Sequence, residues 1–177
     1  MKHEDKVKQQ RALLASLMTE LFQSERSALV HPRREADRLG SAPPAQAMRA
    51  VSEHAGRMGD DLRAVARGSD LGVSRIGVAI GSVLSTMRAM VADRLVDRER
   101  SYRATLLGMR HGVDLVKMIQ RVADAAGVVE LGGFCARWLE ERQPLVERVE
   151  QAMGWFAEHP VQAAETPRLL RKVHVGS

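Results

Sequence analysis

The sequence predicts an all-α protein: a four-helix bundle, ferritin-like or up-and-down, with an additional crossover helix. Two observations lead there. Long stretches repeat apolar residues at alternating steps of three and four. The clearest is Met48, Val51, Ala55, Met58, Leu62, Val65, a spacing that gathers all six side chains on one face of a helix. Almost nothing alternates apolar and polar residues as a half-buried strand does. Long one-sided helices can hide their stripes only against one another, and that is the logic of a bundle.

The first helix is expected over residues 4–29, with Leu13, Leu14, Leu17, Met18, Leu21 and Phe22 on a broad face. It should stop at His31-Pro32, because a residue before proline is pushed out of the helical region. Residues 33–42 read as a polar connector, closed by Ser41-Ala42-Pro43-Pro44, with Pro44 placed to open the next helix. The second helix covers residues 44–67 and ends at Gly68-Ser69-Asp70. Residues 71–95 read as a crossover helix packed tightly on the bundle, although Gly72, Gly77 and Gly81 each cost about 1 kcal/mol against alanine there.

Dense charge at residues 93–103 favours a break or bend near residues 93–98, between two helices or within one long one. The next stripe is Tyr102, Leu106, Met109, Val113, Val116, Ala123, with Gly127 as its cap. The last long helix is expected over residues 128–158, with Leu131, Phe134, Trp138, Leu145, Val149, Ala152 and Phe156 toward the core. Pro144 lies inside it and predicts a kink. Residues 1–160 form one domain on this reading, and 161–177, with Arg168, Arg171 and Lys172, a loose basic tail.

A chain of 177 residues can bury a proper core without disulfides. Cys135 is the single cysteine and suits a reducing cytosol. The charged start, Met1-Lys2-His3-Glu4-Asp5-Lys6, does not read as a signal peptide. No run of about 18 uncharged apolar residues suggests a membrane span. A cytoplasmic protein is the expectation. Arginine outnumbers lysine 22 to 5, which points to a GC-rich bacterial genome.

The net charge is +5, and its distribution is uneven. Residues 71–126 hold nine basic and five acidic side chains, and residues 127–165 hold three and seven. Adjacent helices of opposite sign attract, so the asymmetry reads as an internal match more than a nucleic-acid footprint. Six aromatic residues are too few for a stacking platform. No Gly-rich phosphate loop, dinucleotide fingerprint or nucleophile elbow occurs, so no catalytic or cofactor-binding residue is assigned.

A metal centre inside the bundle is the remaining chemistry. Such centres take a Glu from each of two helices and Glu-x-x-His from each of the other two. Glu20, His54 beside Glu53, His111 near Asp114, and Glu141 beside Glu140 supply one candidate per helix. No Glu-x-x-His exists in the chain. The plain alternative reads Glu20 and Glu53 as solvated, His54 and His111 as boundary residues, His111 as an i, i+3 partner of Asp114, and Glu141 and Arg142 as surface ion pairs. The scattered methionines read as core filler.

Glu99-Arg100-Ser101-Tyr102 leading into Leu106-Leu107, the turn Ala123-Asp124-Ala125-Ala126-Gly127, and Trp138-Leu139-Glu140-Glu141 give the chain a resemblance to the ferritin-like superfamily. Within it, the order of segments is similar to that of the bacterial stress-associated YciF-like proteins. The resemblance implies inward glutamates near Glu20, Glu99 and Glu141, with iron or manganese as the metal. The paired Glu-x-x-His elements are not met.

The expectation for function is a non-catalytic bundle protein acting through self-association or a protein partner, with leftover apolar surface on residues 73–95 as the interface. The alternatives are an iron- or manganese-binding oxidase, and nucleic-acid binding through the basic tail and the arginines Arg98, Arg100, Arg103 and Arg110.

Overall fold

A computed structural model describes residues 3–69, residue 71 and residues 97–165. The expected crossover helix over residues 71–95, with the interface placed on it, lies almost wholly outside the described residues. Four long helices carry the described structure: α1, His3–Leu39; α2, Pro43–Gly68; α3, Arg98–Ala126; and α4, Val129–Gln151. Two short helices follow, α5 at Gly154–Glu158 and α6 at Pro160–Ala163. No strand occurs among the described residues.

Chain connections and cross-helix contacts fix the order. Residues 40–42 fold α2 back along α1, and residues 127–128 fold α4 back along α3. Arg38, near the end of α1, donates to Ser101 Oγ at the start of α3 at 2.7 Å. Farther along, His111 meets Glu20. The two helices are therefore antiparallel. The end of α2 at Gly68 lies beside Glu130 at the start of α4, and His54 meets Arg142 farther along, so these two are also antiparallel. α1 and α4 each pack on both α2 and α3 and face one another across the core. Residues 71 and 97 consequently lie at opposite ends of the molecule.

The core follows the stripes. Met48, Val51, Ala55, Met58 and Leu62 are buried as expected, while Ala66 rather than Val65 completes the row. Tyr102, Leu106, Met109, Val113, Val116 and Ala123 are all buried. Tyr102 donates its hydroxyl to the Val149 carbonyl at 2.9 Å, which satisfies the polar end of an otherwise apolar side chain. Gly127 ends α3 at φ 69°, a left-handed turn that glycine enters without steric cost.

Two helix boundaries differ from the sequence expectation. α1 does not stop at Pro32 but continues for two more turns. The stripe continues through it: Leu21, Glu25, Ala28, Pro32, Ala36 and Leu39 are buried at steps of three and four. Tertiary packing thus outweighs the local penalty. Ser52 of α2 donates to the Leu29 carbonyl at 2.6 Å, supplying a hydrogen bond one turn ahead of the proline, where the helical ladder is disturbed. α4 runs unbroken past Pro144, which lies on the exposed side with Glu140, so water can solvate the carbonyl that the proline leaves without a partner. The helix expected to reach residue 158 ends at 152–153, ahead of Gly154, and the turn sets Phe156 edge-on against Tyr102 at 5.2 Å.

The final described segment folds back on α3. The Arg98 backbone N–H donates to the Glu165 carbonyl at 3.2 Å, and the two side chains pair at 2.7 Å.

Candidate functional site

Three ionisable residues stand on or beside the apolar stripes at core positions. Glu25 follows Leu21 by four residues and precedes Ala28 by three. His54 follows Val51 by three and precedes Met58 by four. Arg142 follows Trp138 by four and precedes Leu145 by three. Helical spacing allows all three to face inward, and the fold buries them. Arg142 is 1% exposed, Glu25 5% and His54 0%.

Arg142 is the hub. Its Nη2 donates to Glu25 Oε2 at 2.9 Å and its Nε to His54 Nδ1 at 2.9 Å. Its guanidinium carbon lies 4.7 Å from the centre of the Trp138 ring, a distance at which a cation gains from the ring face. His54 meets the same indole edge-on at 6.1 Å. One arginine from α4 thus ties α1 and α2 together through two charge-assisted or strongly polar hydrogen bonds.

The hydrogen bond from Arg142 identifies the histidine tautomer. Nδ1 accepts, so the ring proton of neutral His54 sits on Nε2. That nitrogen faces Glu141 Oε2 at 3.4 Å, and Glu141 also lies 3.9 Å from Arg57. Burial, then the positive charges of Arg142 and Arg57, push the His54 pKa down to about 3. The ring is neutral at neutral pH. Burial raises the Glu25 pKa and Arg142 pulls it back down, with a smaller favourable contribution from Trp138. Glu25 Oε1 and Trp138 Nε1 nonetheless close no hydrogen bond of standard geometry. Burial works against the charge on Arg142 as well, and Glu25 opposes that effect.

The metal candidates are dispersed. Glu20 and His111 pair with each other at 2.9 Å on the surface between α1 and α3, so the expected His111–Asp114 pair gives way to a partner on another helix. Glu99 pairs with Arg103 on an exposed face. His54 is wholly buried rather than a boundary residue, and Arg142 sits in the core rather than in a surface ion pair. The candidates meet only in two separate pairs, Glu20 with His111 and His54 with Glu141, the latter at 3.4 Å. Among the described residues, no three His, Cys, Asp or Glu side chains form a metal-ligand set.

An iron or manganese ion does not fit the central cluster. The available nitrogen of His54 already accepts from a guanidinium, and Glu25 is engaged by the same cation. A fixed positive charge 2.9 Å from both ligand types repels a second cation.

No family model, curated protein or solved structure matches this chain.

Elsewhere, Cys135 is buried, and its thiol is pushed up to about 12 by burial and then by the nearby Asp124, which removes thiolate reactivity at neutral pH. The arginines singled out in α3 have acidic partners in three cases of four: Arg98 with Glu165, Arg103 with Glu99, and Arg110 with Glu150 at 2.6 Å. Two of those partners belong to the acidic final segment, as the charge asymmetry anticipates. No helix among the described residues is long and apolar enough to cross a membrane.

Sequence reasoning missed Glu25 and misplaced Arg142. A signal existed for both. The stripe of α4 jumps seven residues, from Trp138 to Leu145, and both Glu141 and Arg142 stand at the missing step; the fold buries Arg142 and leaves Glu141 exposed.

Proposed function

We propose that this chain is a non-catalytic bacterial four-helix bundle protein, ferritin-like in arrangement, which acts in the cytoplasm by association with itself or with a protein partner. Two helical hairpins, α1–α2 and α3–α4, with residues 71 and 97 at opposite ends, support the arrangement, since ferritin-like bundles carry a single long crossover. The observation that carries the functional reading is the Arg142 guanidinium at the centre of the core. It engages the inward ligand-type residues Glu25 and His54 in hydrogen bonds that hold helices together. Association is supported by Leu107 and Met118, which are 54% and 50% exposed. They lie eleven residues apart on α3, a spacing that returns to the same helix face after three turns.

Light scattering on the purified chain across a concentration series tests this reading. The expected mass exceeds the 19.6 kDa of one chain. The paired substitution Leu107→Asp and Met118→Asp lowers it to a monomer with unchanged helical circular dichroism. A single-chain mass at every concentration overturns self-association.

A further inference from the structure

We propose that His54 is a proton-sensitive latch between α2 and α4, which holds the seam only while its ring is neutral. The geometry makes proton uptake and closure mutually exclusive. Nδ1 is the basic site of the neutral ring, and it is filled by the N–H of Arg142 Nε at 2.9 Å. Arginine cannot give up its proton at any pH the fold experiences, so it cannot become the acceptor. A proton from bulk water can therefore bind Nδ1 only after the Arg142–His54 hydrogen bond breaks. Once bound, it leaves an imidazolium facing a guanidinium in a space closed to water.

The surroundings offer no sufficient counter-charge. From α4, His54 faces Arg142 and Glu141, and from its own helix Arg57. From α1, Glu25 is already engaged by Arg142. The charges that act on the ring are those of Arg142 and Arg57, neither of them on α3. Glu141 is the one carboxylate within reach, at 3.4 Å from Nε2 and 49% exposed. It reaches both the buried ring and solvent, so it marks the side from which water enters when the seam parts. Opening lets the protonated ring rotate outward to Glu141 and separates it from Arg142. The seam that gives way is α2 against α4, because both residues of the latch sit there, while the Arg38–Ser101–Glu35 and Glu20–His111 contacts between α1 and α3 do not involve His54.

The test compares the full chain with His54→Gln, whose side-chain oxygen can accept from Arg142 but does not titrate in this range. Unfolding equilibria in urea are measured at pH 7.5 and pH 5.0. The ordinary histidine value is 6.5 and the folded value far lower, so the wild-type folding constant should fall about 30-fold more than that of the variant. Hydrogen exchange on the wild type at pH 5.0, corrected for intrinsic rates, should quicken at amides flanking His54 and Arg142 and stay slow between α1 and α3. Equal pH dependence in both proteins, or uniform quickening across all four helices, overturns the proposal. Should His54→Gln fail to fold, nitrogen-detected NMR of the wild type decides. The latch requires an Nε2–H tautomer that does not titrate above pH 5 while the fold is intact. A ring that titrates near 6.5 in the folded protein contradicts it.

Discussion

Replacing Arg142 with methionine isolates the charge at the centre of the core while keeping an unbranched side chain over Trp138. Glu25, 5% exposed, loses the partner that donates to it at 2.9 Å. Removing one member of a buried ion pair typically costs about 3–5 kcal/mol. The structure allows an independent check. A stranded Glu25 can escape its charge by taking a proton, and at pH 7.5 that costs about 4 kcal/mol for a carboxyl whose ordinary value is 4.5. The two figures agree. His54 Nδ1 also loses its donor, which adds about 1 kcal/mol.

The expected loss at pH 7.5 is therefore about 4–6 kcal/mol, read by urea unfolding. Its pH dependence is the sharper signature. In Arg142→Met the folded state holds a proton on Glu25 that the unfolded chain releases above pH 4.5. The folded state binds more protons, so between pH 7.5 and about 6.5 stability rises as pH falls, by about 1.4 kcal/mol per unit, and the slope flattens below 6.5, where the unfolded chain protonates His54. Adding Glu25→Leu removes the stranded charge and should restore most of the loss, because a buried ion pair exchanged for apolar groups is about neutral. A cost under about 1 kcal/mol for Arg142→Met, or strict additivity of the two substitutions, refutes the account of a buried and coupled pair.

Other substitutions test the helix boundaries. Ser52→Ala removes the hydrogen bond to the Leu29 carbonyl ahead of Pro32 and should lower stability by about 1 kcal/mol, with a matching drop in Tm; an unchanged Tm means the bond does not support α1 at the proline. Gly127→Ala places a side chain at φ 69° and should cost about 1–2 kcal/mol in urea unfolding. A neutral result there contradicts the left-handed cap of α3.

What the sequence showed and what it concealed follow from where the information resides. The stripes of α2 and α3 are local, periodic and apolar, and burial follows them residue by residue. The extent of α1 depends on tertiary packing: Pro32 is a local stop signal, while Ala36 and Leu39 are buried against other helices and hold the chain helical beyond it. The end of α4 at residues 152–153 carries no proline to mark it, while Pro144, the stronger local signal, lies on the solvent side, where its missing hydrogen bond is cheap. The central cluster was the least legible. A charged residue on a stripe reads as solvated until its partner is known, and the partner of Arg142 lies 117 residues away. The one usable clue was the register of the charge itself: Glu25 and Arg142 stand where an apolar residue was due, and His54 stands beside Ala55 on an unbroken stripe.

The central claim is that the inward ligand-type residues hold helices together through Arg142 instead of binding metal. Elemental analysis of the purified chain, before and after incubation with ferrous iron and desalting, tests it most directly. The account predicts no stoichiometric iron or manganese in either sample. Iron or manganese at one or two ions per chain, lost in His54→Ala or Glu141→Ala, contradicts it.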